Sequence, residues 1–204
     1  IARFKLEGKG TGDLKYSSFL GGVNIDTIEG IVFDPNDPTQ VIVAGHSWYD
    51  NFTGPFFPTT SGVFKPKLTP DPPVSQLFPH SKTGFVTKFR FPASGAASLV
   101  WSTFAGGNWE DWLSDIAIDE TGSPIVAGGT RSYDLPTLRG AHDRTQDGVG
   151  LGPHDCFIWK LSPNGAQLTY STYIGGVYEE CAPISTVGAK VAYLGNNTVA
   201  IAGM

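Results

Sequence analysis

Charge is scarce in this chain. Asp, Glu, Lys and Arg make up 16% of its 204 residues, against roughly 25% in an average soluble protein. The net charge is −5 and the basic residues are dispersed, with no Lys/Arg cluster. A nucleic-acid surface needs such a cluster to neutralise phosphates, so that class of partner is not expected. Long apolar runs are missing as well, and none approaches the roughly 20 residues of a membrane-crossing helix. No segment sustains a 3.6-residue apolar period between capping residues, so no long helix is expected. Glycine and proline are abundant instead, at 26 and 15 residues, beside 13 Phe and a 40% hydrophobic content. This is the composition of a turn-rich scaffold with material for apolar cores, not of a disordered tail.

An aromatic-Ser-(Ser/Thr)-aromatic-x-Gly-Gly string occurs three times, at Tyr16 to Gly22, Trp101 to Gly107 and Tyr170 to Gly176. It is introduced each time by a leucine, Leu14, Leu99 or Leu168. Other segments recur around it in a fixed order. Ile31-Val32-Phe33-Asp34 is matched by Ile116-Ala117-Ile118-Asp119 and, loosely, by Ser185 to Gly188. Val41-Ile42-Val43-Ala44-Gly45 is matched by Ile125-Val126-Ala127-Gly128 and Ala200-Ile201-Ala202-Gly203. Phe85-Val86-Thr87-Lys88-Phe89 is echoed by Phe157-Ile158-Trp159-Lys160-Leu161 and by Ala2-Arg3-Phe4-Lys5-Leu6. Each segment is short, rich in β-branched and aromatic residues, and bounded by Gly, Pro, Asn or Asp, which are strand and turn signals. A unit of this kind cannot bury its own apolar face and needs neighbours of its own type.

Four antiparallel strands per unit make the blade of a β-propeller. The strings at 170 to 176, 116 to 119 and 85 to 88, together with Phe57-Pro58-Thr59-Thr60, resemble the bacterial SBBP-type β-propeller repeat. The resemblance implies an all-β fold and leaves function open, because propellers host unrelated activities. On this reading residues 1–22 hold the third and fourth strands of an incomplete blade. Residues 23–107 form a complete blade with a long loop at 47–83, and 108–176 a second with a long loop at 131–155. Residues 177–204 then hold the first two strands of a further blade. About three blades' worth of strands is below the four to eight of closed propellers, so the chain is expected to be part of a larger propeller. Either it is a fragment of a longer chain, or copies associate with the opening segment of one completing the last blade of another. A chain that opens inside a blade could show no signal peptide.

The long loops and the fourth-to-first connections are expected on one rim, the face that carries function in many repeat folds. Trp48, Tyr49, Phe52 and Phe56 crowd the start of the first loop, and Trp109 and Trp112 bracket Glu110 and Asp111 in the next connection. Such aromatics either stack on sugar rings and protein partners or pack under the loop as a satellite core. Acidic residues follow each Gly-Gly pair, including Asp26, Asp111 and Glu180. They could offer oxygen ligands to calcium, the one cofactor considered, or accept backbone N–H bonds. His142 and His154 lack a recognisable metal-ligand spacing. Cys156 and Cys181 fall on the same expected rim, as a disulfide suited to an exported protein or as two separate buried thiols.

The expected function is therefore a non-enzymatic extracellular or cell-surface scaffold that binds a protein or glycan through rim loops. Two alternatives are a structural subunit of a larger envelope assembly or filament, and a glycan hydrolase or lyase with a central-channel site. The last would need convergent acid/base groups, of which Asp34 and Asp119 at first-strand ends are the available carboxylates.

Overall fold

The computed structural model describes residues 1–49, 57–68, 81–92, 96–147, 154–177, 181 and 188–203. The protein is all-β, with twelve strands, one short 3-10 turn at Gly10–Asp13 and no α-helix among the described residues. The strands are β1 (Ala2–Phe4), β2 (Leu14–Ser17), β3 (Asp26–Asp34), β4 (Asp37–Tyr49), β5 (Ser81–Arg90), β6 (Ser98–Ala105), β7 (Asp111–Ile118), β8 (Pro124–Thr130), β9 (Asp155–Leu161), β10 (Leu168–Ile174), β11 (Lys190–Gly195) and β12 (Thr198–Ala202). They form four antiparallel sheets of two, four, four and two strands, each in sequence order.

Period-2 alternation explains why the central strands read as unbroken apolar runs. On β4, Val41 and Val43 join a core with Phe57, Phe85, Phe89 and Phe104, against which Ile1, Tyr16 and Leu20 of the first sheet's segment pack. Ile42 and Ala44 point the other way, into a core shared with Leu113, Val126, Phe157, Trp159 and Tyr173 of the third sheet. Ile125, Ala127 and Ile158 face a third core with Val191 of the fourth sheet. Each four-stranded sheet is thus apolar on both faces and sandwiched between neighbours. β3 packs beside β7, and β7 beside β11. Ser114 donates its hydroxyl to the Ala189 carbonyl at 2.7 Å, and Asp115 accepts the Val191 N–H at 3.0 Å.

Two features differ from the sequence reading. Ser47, Trp48 and Tyr49 do not begin the first long loop but continue β4, paired with Thr83, Lys82 and Ser81. The stretch loosely matched at Ser185 to Gly188 gives way to a later strand where it can be described. Residues 185–187 lie outside the described residues, Gly188 is not in a strand, and the strand that pairs with β12 is Lys190–Gly195. Its turn is Asn196-Asn197, both left-handed at φ 51° and 56°, the conformation that matches a two-residue hairpin to strand twist.

The described parts of the long loops do more than decorate a rim. Thr60 and Lys65 run along the outer edge of β6, where the Thr60 N–H donates to the Ser102 carbonyl and the Phe104 N–H to the Lys65 carbonyl, each at 3.0 Å. Asp143 does the same for β10, accepting the Tyr173 N–H at 3.1 Å. An uncovered edge strand invites unwanted pairing, and these segments satisfy the edge instead.

Candidate binding rim

The Gly-Gly string ends in a turn closed by a carboxylate. Asp26 accepts the Gly22 N–H at 2.8 Å, and Asp111 accepts the Gly107 N–H at the same distance. A Cβ on Gly21 or Gly106 would fall within 2.5 Å of these carboxylate oxygens, which is why the first glycine recurs. Asp111 is fully buried and also accepts the hydroxyls of Thr130 and, at 2.9 Å, Ser132. Lys65 Nζ sits beneath the same turn, donating to the Gly106 and Gly107 carbonyls at 2.8 and 2.6 Å. The Lys65 pKa is lowered by burial, against the pull of Asp111 and Asp134. Tyr173 closes the network from below, donating to the Ser132 carbonyl at 2.6 Å and accepting the Leu135 N–H at 2.9 Å.

Burial pushes the Asp111 pKa up to about 7, although Thr130, Lys65, Ser132 and the Gly107 N–H all favour the charged form. A raised folded-state pKa means that the native state holds a proton the unfolded chain has released, so stability falls as pH rises from about 4 to about 7. At the limit the slope from this one group is about 1.4 kcal/mol per pH unit. Urea unfolding at several pH values across that window should therefore show a flatter pH dependence in Asp111→Asn than in the natural protein. Equal slopes would refute this assignment.

The network fixes an aromatic pair above it. The Trp109 N–H donates to Ser132 Oγ and the Asn108 N–H to Asp134 Oδ1, each at 2.8 Å. Glu110 and Arg131 form an ion pair at 2.8 Å, and the Arg131 N–H donates to the Glu110 carbonyl at the same distance. The rings of Trp109 and Tyr133 lie 6.3 Å apart. Tyr133 is 53% exposed and Trp109 half-buried.

Trp48 and Trp112 come together elsewhere, around the Lys82 ammonium, which lies 4.8 Å from one ring centre and 5.7 Å from the other. Cation–π contact of this kind holds a charge on an aromatic face. Trp112 was expected to offer a binding surface, but it is only 6% exposed. Its indole packs over Gly129 and edge-on to His154, above the Cys156–Cys181 disulfide, whose Cα atoms are 5.3 Å apart. Closing that 25-residue separation stabilises the fold by about 3 kcal/mol in the chain-entropy model.

Phe52, Phe56, Glu180 and the Tyr49 side chain lie outside the described residues. Among the described residues no group of three or more His, Cys, Asp or Glu is gathered that could hold a metal. His142 lines a groove beside β10, whereas His154 packs on Trp112. His46 stands 3.8 Å from Glu29, and burial together with Lys82 pushes its pKa down to about 4, so it is neutral at neutral pH. Asp34 and Asp119 are held by lysines of the third strands, at 2.6 Å from Lys88 and 2.7 Å from Lys160.

Sequence reasoning missed Tyr133, Lys82 and Lys65. Tyr133 follows a second strand on the expected rim, so its position was readable in principle. The lysines sit on segments whose contacts depend on how the loop folds back. No helix among the described residues is long and apolar enough to cross a membrane. No family model matches the sequence, and no curated protein matches it.

Proposed function

We propose that this chain is a β-propeller scaffold of SBBP type, at the cell surface or outside the cell, that binds a protein or a glycan through the rim carrying Trp109 and Tyr133. Two faces per sheet and cores between successive sheets support the propeller reading. The disulfide favours an oxidising compartment. The observation that carries the binding reading is the Trp109–Tyr133 pair, a half-buried indole beside an exposed phenol ring, whose backbone is pinned by Ser132, Asp134 and Glu110. Rigid aromatics present large contact area at little entropic cost.

Trp48 and the ammonium of Lys82 supply a second aromatic element between the second and third sheets. A non-enzymatic role fits the use of Asp34 and Asp119, because a carboxylate engaged by a lysine is poorly placed to act as a general acid. The reading is tested by binding to a panel of polysaccharides and purified envelope proteins. Trp109→Ala and Tyr133→Ala should each weaken capture at least about tenfold. Undiminished capture by both variants rules out this rim.

A further inference from the structure

Lys82 and Lys88 are the buried lysines among the described residues, at 9% and 6% exposure, and only one of them has an anion. Lys88 meets Asp34 at 2.6 Å. The half-buried lysines are served too, Lys65 by the Gly106 and Gly107 carbonyls and Lys160 by Asp119. Among the described residues no carboxylate, carbonyl or hydroxyl accepts from Lys82, whose contacts are the faces of Trp48 and Trp112. An ammonium carries several N–H donors, and burying it without acceptors is costly. The ring faces offset part of that cost but give the N–H groups no lone pair.

The fold accounts for this placement. Trp48 and Lys82 stand directly opposite each other in the β4–β5 register, so both project from one face of the second sheet. It is the face on which Ile42 and Ala44 meet the third sheet. β7 packs along it and brings Trp112 to the same ammonium. His46, two residues before Trp48 on that face, is kept neutral by burial and by the Lys82 charge. Glu29 lies 3.8 Å from His46 and makes no ion pair with Lys82. Trp48 is only half-buried, so part of its indole stays open beside the unpaired cation.

We infer that this cleft between the second and third sheets takes an acidic sugar, a uronic acid, with its carboxylate on Lys82 Nζ and the C–H face of its ring against Trp48. A charge-assisted bond from an ammonium to a carboxylate is among the strong ones, and here it supplies the acceptor that the fold itself withholds. A uronic acid unites a carboxylate and a flat apolar face in one residue. An acidic peptide carries its carboxylate on a flexible stem and has no such face for the indole. Resting on the glycan reading given under the proposed function, the site uses residues distinct from Trp109 and Tyr133.

The probe is a galacturonate hexamer, titrated into the full chain by calorimetry and tryptophan fluorescence. Maltohexaose is the neutral comparison, and hexaglutamate carries the charge without the sugar rings. Over about 10 μM to about 10 mM probe, the natural protein should bind the uronate at least about tenfold more tightly than either. Lys82→Gln should erase the difference between charged and neutral sugar, and Trp48→Ala should weaken uronate binding at least about tenfold. Near-ultraviolet circular dichroism checks that both variants keep native packing, and the three-probe comparison on the natural protein needs neither of them. Absent uronate binding, equal affinity for maltohexaose, equal or tighter binding of hexaglutamate, a preference that survives Lys82→Gln, or undiminished binding by Trp48→Ala overturns the inference. Each of those outcomes leaves capture through Trp109 and Tyr133 standing. Conversely, a Lys82-dependent uronate preference with undiminished capture by Trp109→Ala and Tyr133→Ala removes the rim and keeps this site.

Discussion

Gly45→Ala and Gly128→Ala are each expected to cost about 4 kcal/mol or more, a large part of the 5–15 kcal/mol that holds a typical domain together. Both glycines end the Val-Ala-Gly string of a second strand. Opposite each, the first strand carries a register shift, between Ile28 and Gly30 on β3 and between Leu113 and Asp115 on β7. The extra residue of a bulge pushes the backbone toward its partner. A Cβ at position 45 would stand 1.9 Å from the Thr27 carbonyl oxygen, and one at 128 the same distance from that of Trp112. The obstacle is backbone, which cannot rotate away as a side chain can. β4 and β8 are paired on both edges, so any shift that relieves the clash breaks ladder bonds on two sides. Gly12→Ala is the control, because its Cβ would meet only Lys9 Cβ at an ordinary 3.7 Å, and it should change stability by less than about 0.5 kcal/mol. Urea midpoints at constant slope measure all three. A Gly45→Ala protein within about 1 kcal/mol of the natural one would show that the bulge can relax.

The same contacts explain what was legible in the sequence. Val41 to Ala44 reads as a strand because every residue is apolar, and every residue is apolar because alternate side chains enter different cores. The Gly-Gly string and the acidic residues after it are both legible, and Asp26 and Asp111 do accept backbone N–H bonds; that the first glycine is required because a Cβ would strike the carboxylate shows only in the folded turn. Of the final hairpin, the Ala200 to Gly203 segment falls on β12 as its likeness to the other second strands implies, whereas the strand paired with it, Lys190–Gly195, carries too little of the repeat pattern to be legible, and the turn between them is the left-handed Asn196-Asn197 pair. For the candidate site, residue type misled. Trp109 and Trp112 are near neighbours in sequence, yet one lies in a connection and the other on β7, pointing into the core beside the disulfide. Local pattern fixes which residues are strand, but the direction of a side chain at a strand's first residues depends on the bulge that follows.

The lysines of Phe-Val-Thr-Lys and Phe-Ile-Trp-Lys give the second large effect. Lys88 and Asp34 are each only 7% exposed and meet at 2.6 Å, and Asp34 otherwise accepts the Asn36 N–H at 2.8 Å. Lys88→Met leaves a buried carboxylate without its cation, a loss of about 3–5 kcal/mol. Adding Asp34→Asn removes the stranded charge while keeping an acceptor for Asn36, so the double variant should regain most of that loss and give a coupling energy of about 2 kcal/mol or more. The equivalent pair is built differently. Lys160 is 18% exposed, and its partner Asp119 also accepts bonds from the Thr121 hydroxyl and the Thr121 and Ser123 N–H groups. Burial works against the charge on Asp119, but Lys160 and these donors outweigh it and hold its pKa below the usual carboxylate value. Asp119 is itself only 3% exposed, but with Lys160 gone three donors still serve its carboxylate, so Lys160→Met should cost less than Lys88→Met, about 1–3 kcal/mol. Denaturant unfolding of the two single variants tests this ordering directly. Equal losses would mean that the lysine alone, and not the set of donors around each carboxylate, sets the energy of the pair.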